Sequence, residues 1–168
     1  FTAHRARCSD RSGRIDRSGR ILVAGYREMG PAVHEKDFAV ARLRADGALD
    51  TSFGTGGLVT LDREGNADWA TWVGVTTYGK IMVAGWADTA TNQLAVVRLN
   101  DDGSLDASFG QGGWMTTCAD AHGFAGALSE VDEVYVVGGT GSAPGRAVIT
   151  RTDPSGNPDP LANCAVAN

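Results

Sequence analysis

A chain of 168 residues, 42% apolar and 21% charged, is long enough to bury one substantial core and too apolar to be disordered. Its net charge of −5 excludes a protein whose main work is neutralising phosphates, so no nucleic-acid partner is expected. No apolar run approaches the length of a spanning helix and no short apolar stretch follows a basic start, so neither a transmembrane segment nor a retained signal peptide is expected. The 23 glycines interrupt every stretch a long helix would need, while Val, Thr and Trp recur in short runs, which points to an all-β chain.

The chain opens on a basic segment. Arg5, Arg7, Arg11, Arg14, Arg17 and Arg20 face only Asp10 and Asp16, so the first twenty residues are strongly positive and the remainder carries the acid. Residues 1–18 are expected to form a basic arm, disordered or a poorly formed strand, solvated against an acidic body. The first clear strand is Gly19-Arg20-Ile21-Leu22-Val23-Ala24-Gly25, and it returns as Gly79-Lys80-Ile81-Met82-Val83-Ala84-Gly85 and, more loosely, as Asp132 to Gly138. A second strand, Phe38 to Leu43, returns as Leu94 to Leu99 and Ala147 to Thr152, with Arg42, Arg98 and Arg151 in matching places. Then Asp46-Gly47-Ala48-Leu49-Asp50-Thr51-Ser52-Phe53-Gly54-Thr55-Gly56-Gly57 matches Asp102 to Gly113, with a frayed third copy in Ser155-Gly156-Asn157-Pro158-Asp159. Each Gly-Gly precedes another strand, Leu58 to Leu61 and Trp114 to Thr117, followed by an alternating segment, Trp69 to Val75 and Phe124 to Leu128.

Self-similarity at this period marks a repeat architecture, here with four short strands per unit. Such a unit buries its faces only by stacking on neighbours, as a propeller blade does. The expected fold is all-β and β-propeller-like, with about three four-stranded blades in an open arc or half of a ring. Residues 19–160 are the repeat body, in units of approximately 19–78, 79–131 and 132–160, and 161–168 are a tail. These motifs resemble the bacterial delta-sixty repeat, a propeller-type unit of large secreted or surface proteins. The resemblance implies the fold and a secreted or cell-surface location, and supplies no catalytic residues.

Two departures from the repeat bear on assembly. The strand expected at Ser9 to Ile15 is polar, and the third unit ends soon after its second strand, leaving fewer than three complete blades. An open arc exposes two apolar faces, which calls for self-association or for the rest of a longer propeller. Two arcs about a two-fold axis would make a six-blade homodimer, each supplying strands that the other lacks.

Chemistry-bearing residues are sparse. The Asp-Gly turns invite calcium, but Arg98 and Asn100, like Arg42 and Arg44, stand where an EF-hand needs ligands, so the acids read as turn formers and no cofactor is expected. Gly54 to Gly57 and Gly110 to Gly113 lack the Lys-Ser/Thr and the helix of a phosphate loop. His4, His34 and His122 sit in no metal or triad motif. Cys8, Cys118 and Cys164 lack zinc spacing, and Cys118 with Cys164 is the candidate disulfide because it would tie the tail to the body.

One loop breaks the repeat, Tyr26 to Asp37, which is longer than its counterpart Trp86 to Gln93. Its Glu28, His34, Glu35 and Asp37 are candidate ligand-binding residues. Trp86 joins them as the tryptophan expected to be exposed for stacking on a sugar, whereas Trp69 and Trp72 have opposite strand parity and are expected on opposite faces. The leading functional expectation is a non-enzymatic interaction or structural module with a glycan or protein ligand. The alternatives are an extracellular hydrolase or lyase with a loop-built site, and a glycan-binding lectin.

Overall fold

The glycine-punctuated apolar runs of the sequence become antiparallel strands. In the computed structural model the described residues are 12–28, 36–88, 91–141, 145–159 and 165–167, and among them there are twelve strands and no helix. The first sheet holds β1 (Ser12–Ile15), β2 (Ile21–Glu28), β3 (Lys36–Leu43) and β4 (Leu58–Leu61). The second holds β5 (Asp68–Val75), β6 (Ile81–Asp88), β7 (Asn92–Leu99) and β8 (Trp114–Ala119). The third holds β9 (Ala121–Leu128), β10 (Val134–Thr140), β11 (Ala147–Thr152) and β12 (Ala165–Ala167). Each is a meander in chain order, and the cross-strand pairs Ile21↔Leu43, Ile81↔Leu99 and Val134↔Thr152 put the three copies in one register.

The sheets succeed one another in an arc that does not close. β1, β2 and β3 pack on β5, and β5, β6 and β7 pack on β9. The uninterrupted apolar runs of β6 and β7 follow from this, because alternate residues enter different cores. Val83 and Val97 join Phe38, Val40 and Val73 between the first and second sheets. Ala84 and Val96 join Val134, Val136 and Val148 between the second and third.

At the first end of the repeat the structure decides between the two expectations for the basic arm, and at the other it adds a strand. The polar segment before the first apolar run does form a strand: β1 pairs with β2 from Ser12↔Ala24 to Ile15↔Ile21, although it is half as long as β5 and largely exposed. Main-chain pairing with a strong neighbour sets the strand here, and side-chain polarity does not prevent it on an edge. At the other end β12 lies within the expected tail and pairs with β11 through Ile149↔Ala165 and Val148↔Val166. The chain therefore completes three four-stranded sheets from its own strands. The sheets span 12–61, 68–119 and 121–167, so each begins one strand earlier than the apolar motif that marks its repeat.

Neighbouring sheets are fastened by one joint, seen twice. Arg42 on β3 is bound by Asp50 Oδ2 at 2.8 Å, lies over the Phe53 ring, and donates to the Asp101 carbonyl of the next sheet. Arg98 on β7 repeats this with Asp106 at 2.9 Å, the Phe109 ring and the Pro154 carbonyl. Beside each arginine a glycine N–H reaches the same turn, Gly54 to Asp102 O at 2.8 Å and Gly110 to Ser155 O at 2.7 Å. Close approach requires glycine in the received turn. At Gly103 and Gly156, with φ of 90° and 87°, a Cβ would stand 3.0 and 2.6 Å from those donating nitrogens.

Candidate functional site

Equivalent positions near the loop end of three sheets converge on one recess of about 320 Å³, lined by Tyr26, Trp69, Ala70, Thr71, Trp86, His122 and Phe124. Repeat register explains the meeting. Tyr26 on β2 and Trp86 on β6 hold the same place in their strands, and Trp69 and His122, the partners of Trp86 and Gly139, hold the same place on β5 and β9. Gly139 leaves the space on the third sheet into which Phe124 leans, since a Cβ there would stand 3.3 Å from the Phe124 ring.

The rings form a continuous ladder. Trp69 stacks on Trp86 with centroids 3.8 Å apart, Trp86 meets His122 at 4.4 Å, and Tyr26 and Trp69 meet in a T-shaped contact at 6.4 Å. Lys36 Nζ lies 5.0 Å from the Tyr26 ring centre and 5.2 Å from that of Trp69. These contacts occupy the faces of Trp69 and Trp86, so the recess presents ring edges to its interior. Phe124 supplies an open ring face, being 59% exposed. Among the described residues, the buried His122 Nε2 has no hydrogen-bond partner, whereas Thr71 Oγ1 is already bound to the Gly123 carbonyl at 2.9 Å. No carboxylate lines the recess among those residues.

The tryptophans correct two expectations. A β-bulge between Ala70 and Trp72 shifts the register so that Trp69 pairs with Trp86 and Trp72 with Ala84. Those partners are two residues apart on β6, so Trp69 and Trp72 project to one face despite their opposite parity in sequence. Trp86 is half-buried between Trp69 and His122 and is not the free platform expected of it.

The loop residues separate. His34 and Glu35 lie outside the described residues. Glu28 ends β2 opposite Lys36, whose ammonium joins the aromatic ladder, and Asp37 stands opposite Arg27 on β3. Burial raises the Asp37 carboxyl, the nearby Asp62 adds to the rise, and Arg27 opposes it. A stronger case sits beside it at the start of β5. Asp68 is fully buried, its Oδ2 accepts from the Arg63 N–H at 2.6 Å, and among the described residues its Oδ1 has no partner. Burial pushes its carboxyl up to about 7 against the Arg63 N–H, with the Asp62 and Asp37 charges adding to the rise. Asp68 escaped sequence reasoning because its place is not repeated: the equivalent position on β9 is Ala121.

The turn acids are occupied locally. Asp102 Oδ1 accepts from the Ser104 N–H and hydroxyl, and Asp46 Oδ1 from the Ala48 N–H. The Ser108 hydroxyl, with Lys80 and Arg98, holds the Asp106 carboxyl far below the usual range. Among the described residues no cluster of three His, Cys, Asp or Glu is arranged for a metal ion. Cys118 is buried and disulfide-bonded, while Cys8 and Cys164 lie outside the described residues.

Two stretches of the chain, residues 17–53 and 79–109, match the model of a family described as a domain of unknown function (DUF5122), β-propeller. No curated protein matches the chain. Both matched stretches run from the turn before the apolar strand through the arginine to Phe53 or Phe109, so they include the arginine, its acid and the ring beneath it in each joint between sheets. The chain is a propeller-type repeat.

Proposed function

We propose that the chain is a non-enzymatic propeller-type interaction module of a secreted or cell-surface bacterial protein, which takes a glycan in the aromatic recess. The observation that carries this reading is the recess itself, assembled from side chains of all three sheets and opening beside the face of Phe124. A sugar ring carries an apolar face and a rim of hydroxyls. The apolar face suits Phe124, and a hydroxyl suits the unpartnered His122 Nε2. The disulfide at Cys118 supports an oxidising compartment.

Trp69 and Trp86 stand in the recess wall, so their emission reports on occupancy. The expected result is one or more sugars on a glycan array that quench the emission, with binding lost in Phe124→Ser and weakened in His122→Ala. An inert array with unchanged emission would remove the glycan ligand and leave the interaction module with a protein partner to be sought.

A further inference from the structure

The two ends of the arc carry opposite halves of the joint that fastens the sheets internally. At the incoming edge of the first sheet, the turn Arg44-Ala45-Asp46-Gly47 is the counterpart of Asn100-Asp101-Asp102-Gly103 and of Asp153-Pro154-Ser155-Gly156. Those two turns are received by an arginine and a glycine N–H of the preceding sheet. Among the described residues nothing donates to the Ala45 or Asp46 carbonyl, and the space around Gly47, at φ 82°, is open to 4 Å.

The outgoing edge of the third sheet carries the complement. Arg151 is held by Asp159 through Nη2, with Glu133 3.8 Å from its Nη1, whereas Arg42 and Arg98 bind Asp50 and Asp106 through Nε. The three arginine side chains are 2%, 14% and 38% exposed, and among the described residues the last meets the acids of its own blade while no sheet lies over it. Around it the outer face of the third sheet presents Phe124, Val137 and Ile149 to solvent. Their counterparts on the second sheet, Thr71, Ala84 and Val96, are buried beneath the third.

We propose that a second copy of this chain docks head to tail, the Arg151 edge of one copy receiving the Ala45–Gly47 turn of the other. The contact occurs twice about a two-fold axis and closes a six-bladed ring, within the usual range of propellers. A second copy is the occupant because one chain carries both halves, a cation with an exposed apolar face at one end and free carbonyls with an open glycine at the other. In sequence, Leu161-Ala162-Asn163 stands where the internal joints have Ser-Phe-Gly. The junction between copies therefore lacks the phenyl ring under its arginine and is weaker than the internal joints. This inference rests on the propeller-type architecture and not on what the recess binds, so either can fail alone.

Sedimentation of the purified full chain across a dilution series tests it. The expected mass approaches twice the chain's 17.5 kDa at the concentrated end. Gly47→Asn meets no atom within its own chain, and Asn tolerates positive φ, yet the added side chain would strike the incoming edge; it should weaken association by about tenfold or more with an unchanged melting temperature for the dilute monomer. Ala45→Asp copies Asp101, whose Oδ1 lies 3.2 Å from Arg42 Nη1, and should tighten association. A monomer at every concentration overturns the proposal, as does a dimer that neither variant alters.

Discussion

The second sheet is covered on both faces and the third on one, and equivalent side chains differ accordingly. Ala84 and Val96 are fully buried, whereas Val137 and Ile149, in the same register positions, are 44% and 45% exposed. The repeat prescribes an apolar residue at each of these sites, but burial comes from a neighbour. A unit of this kind has two interfaces in place of a closed core, so its stability belongs to the joints between sheets.

The largest effect expected from breaking that comparison is at the joint rings. Phe109→Ala removes a side chain 1% exposed beneath Arg98 and should cost about 3–5 kcal/mol in denaturant unfolding, with Phe53→Ala close to it. A cost near zero would place the stability elsewhere than in the joints.

The buried acid at the start of β5 should act through pH. Because burial raises the Asp68 carboxyl to about 7, the folded chain binds a proton that the unfolded chain, with a value near 3.8, has released. Stability should be greatest below about pH 4 as far as this group is concerned, and fall by on the order of 2 kcal/mol as pH rises to about 7. Asp68→Asn should flatten that slope and exceed the parent in melting temperature at pH 8. A variant with the parent's slope would assign the pH dependence to other groups.

Glycines sharpen the contrast between joined and open turns. Gly103→Asn should cost about 2 kcal/mol because its Cβ meets Phe53 and the Gly54 nitrogen at 3.0 Å, whereas Gly47→Asn, with the same sign of φ and open space, should cost a few tenths. Equal losses would mean that φ alone, and not the joint, selects glycine. The smallest effect is expected on the open face. Ile149→Thr should change the stability of the dilute monomer by less than about 0.5 kcal/mol, since its side chain already meets water.

Much of this architecture was legible in the residues. Three matched copies of an apolar strand, an arginine strand and an Asp-Gly turn determined the all-β class, the four-strand unit and the open arc, because φ > 0 at Gly47, Gly103 and Gly156 and period-2 burial are local demands. The arginine in each copy was visible, but not its reach: the carbonyl it seeks lies about sixty residues away on the next sheet. The place of β1 followed from the repeat spacing but its formation did not, and β12 was illegible, since both form by pairing with a stronger neighbour.

The recess was decided at the tertiary level alone. Strand parity placed Trp69 and Trp72 on opposite faces until one bulge at Thr71 returned them to the same side, and a bulge is a property of two paired strands. Trp86 became half-buried because Trp69 and His122, one from its own sheet and one from the next, close on its two faces. The Asp68 carboxyl is pushed up to about 7 because the packed sheets bury it, with the charges of Asp62 and Asp37 adding to the rise. The sequence alone determined which pieces repeat, since repetition is written in local turns and periodicity. Which of them are covered, stacked or left open depends on what the neighbouring sheet brings, and that only the packed arc decides.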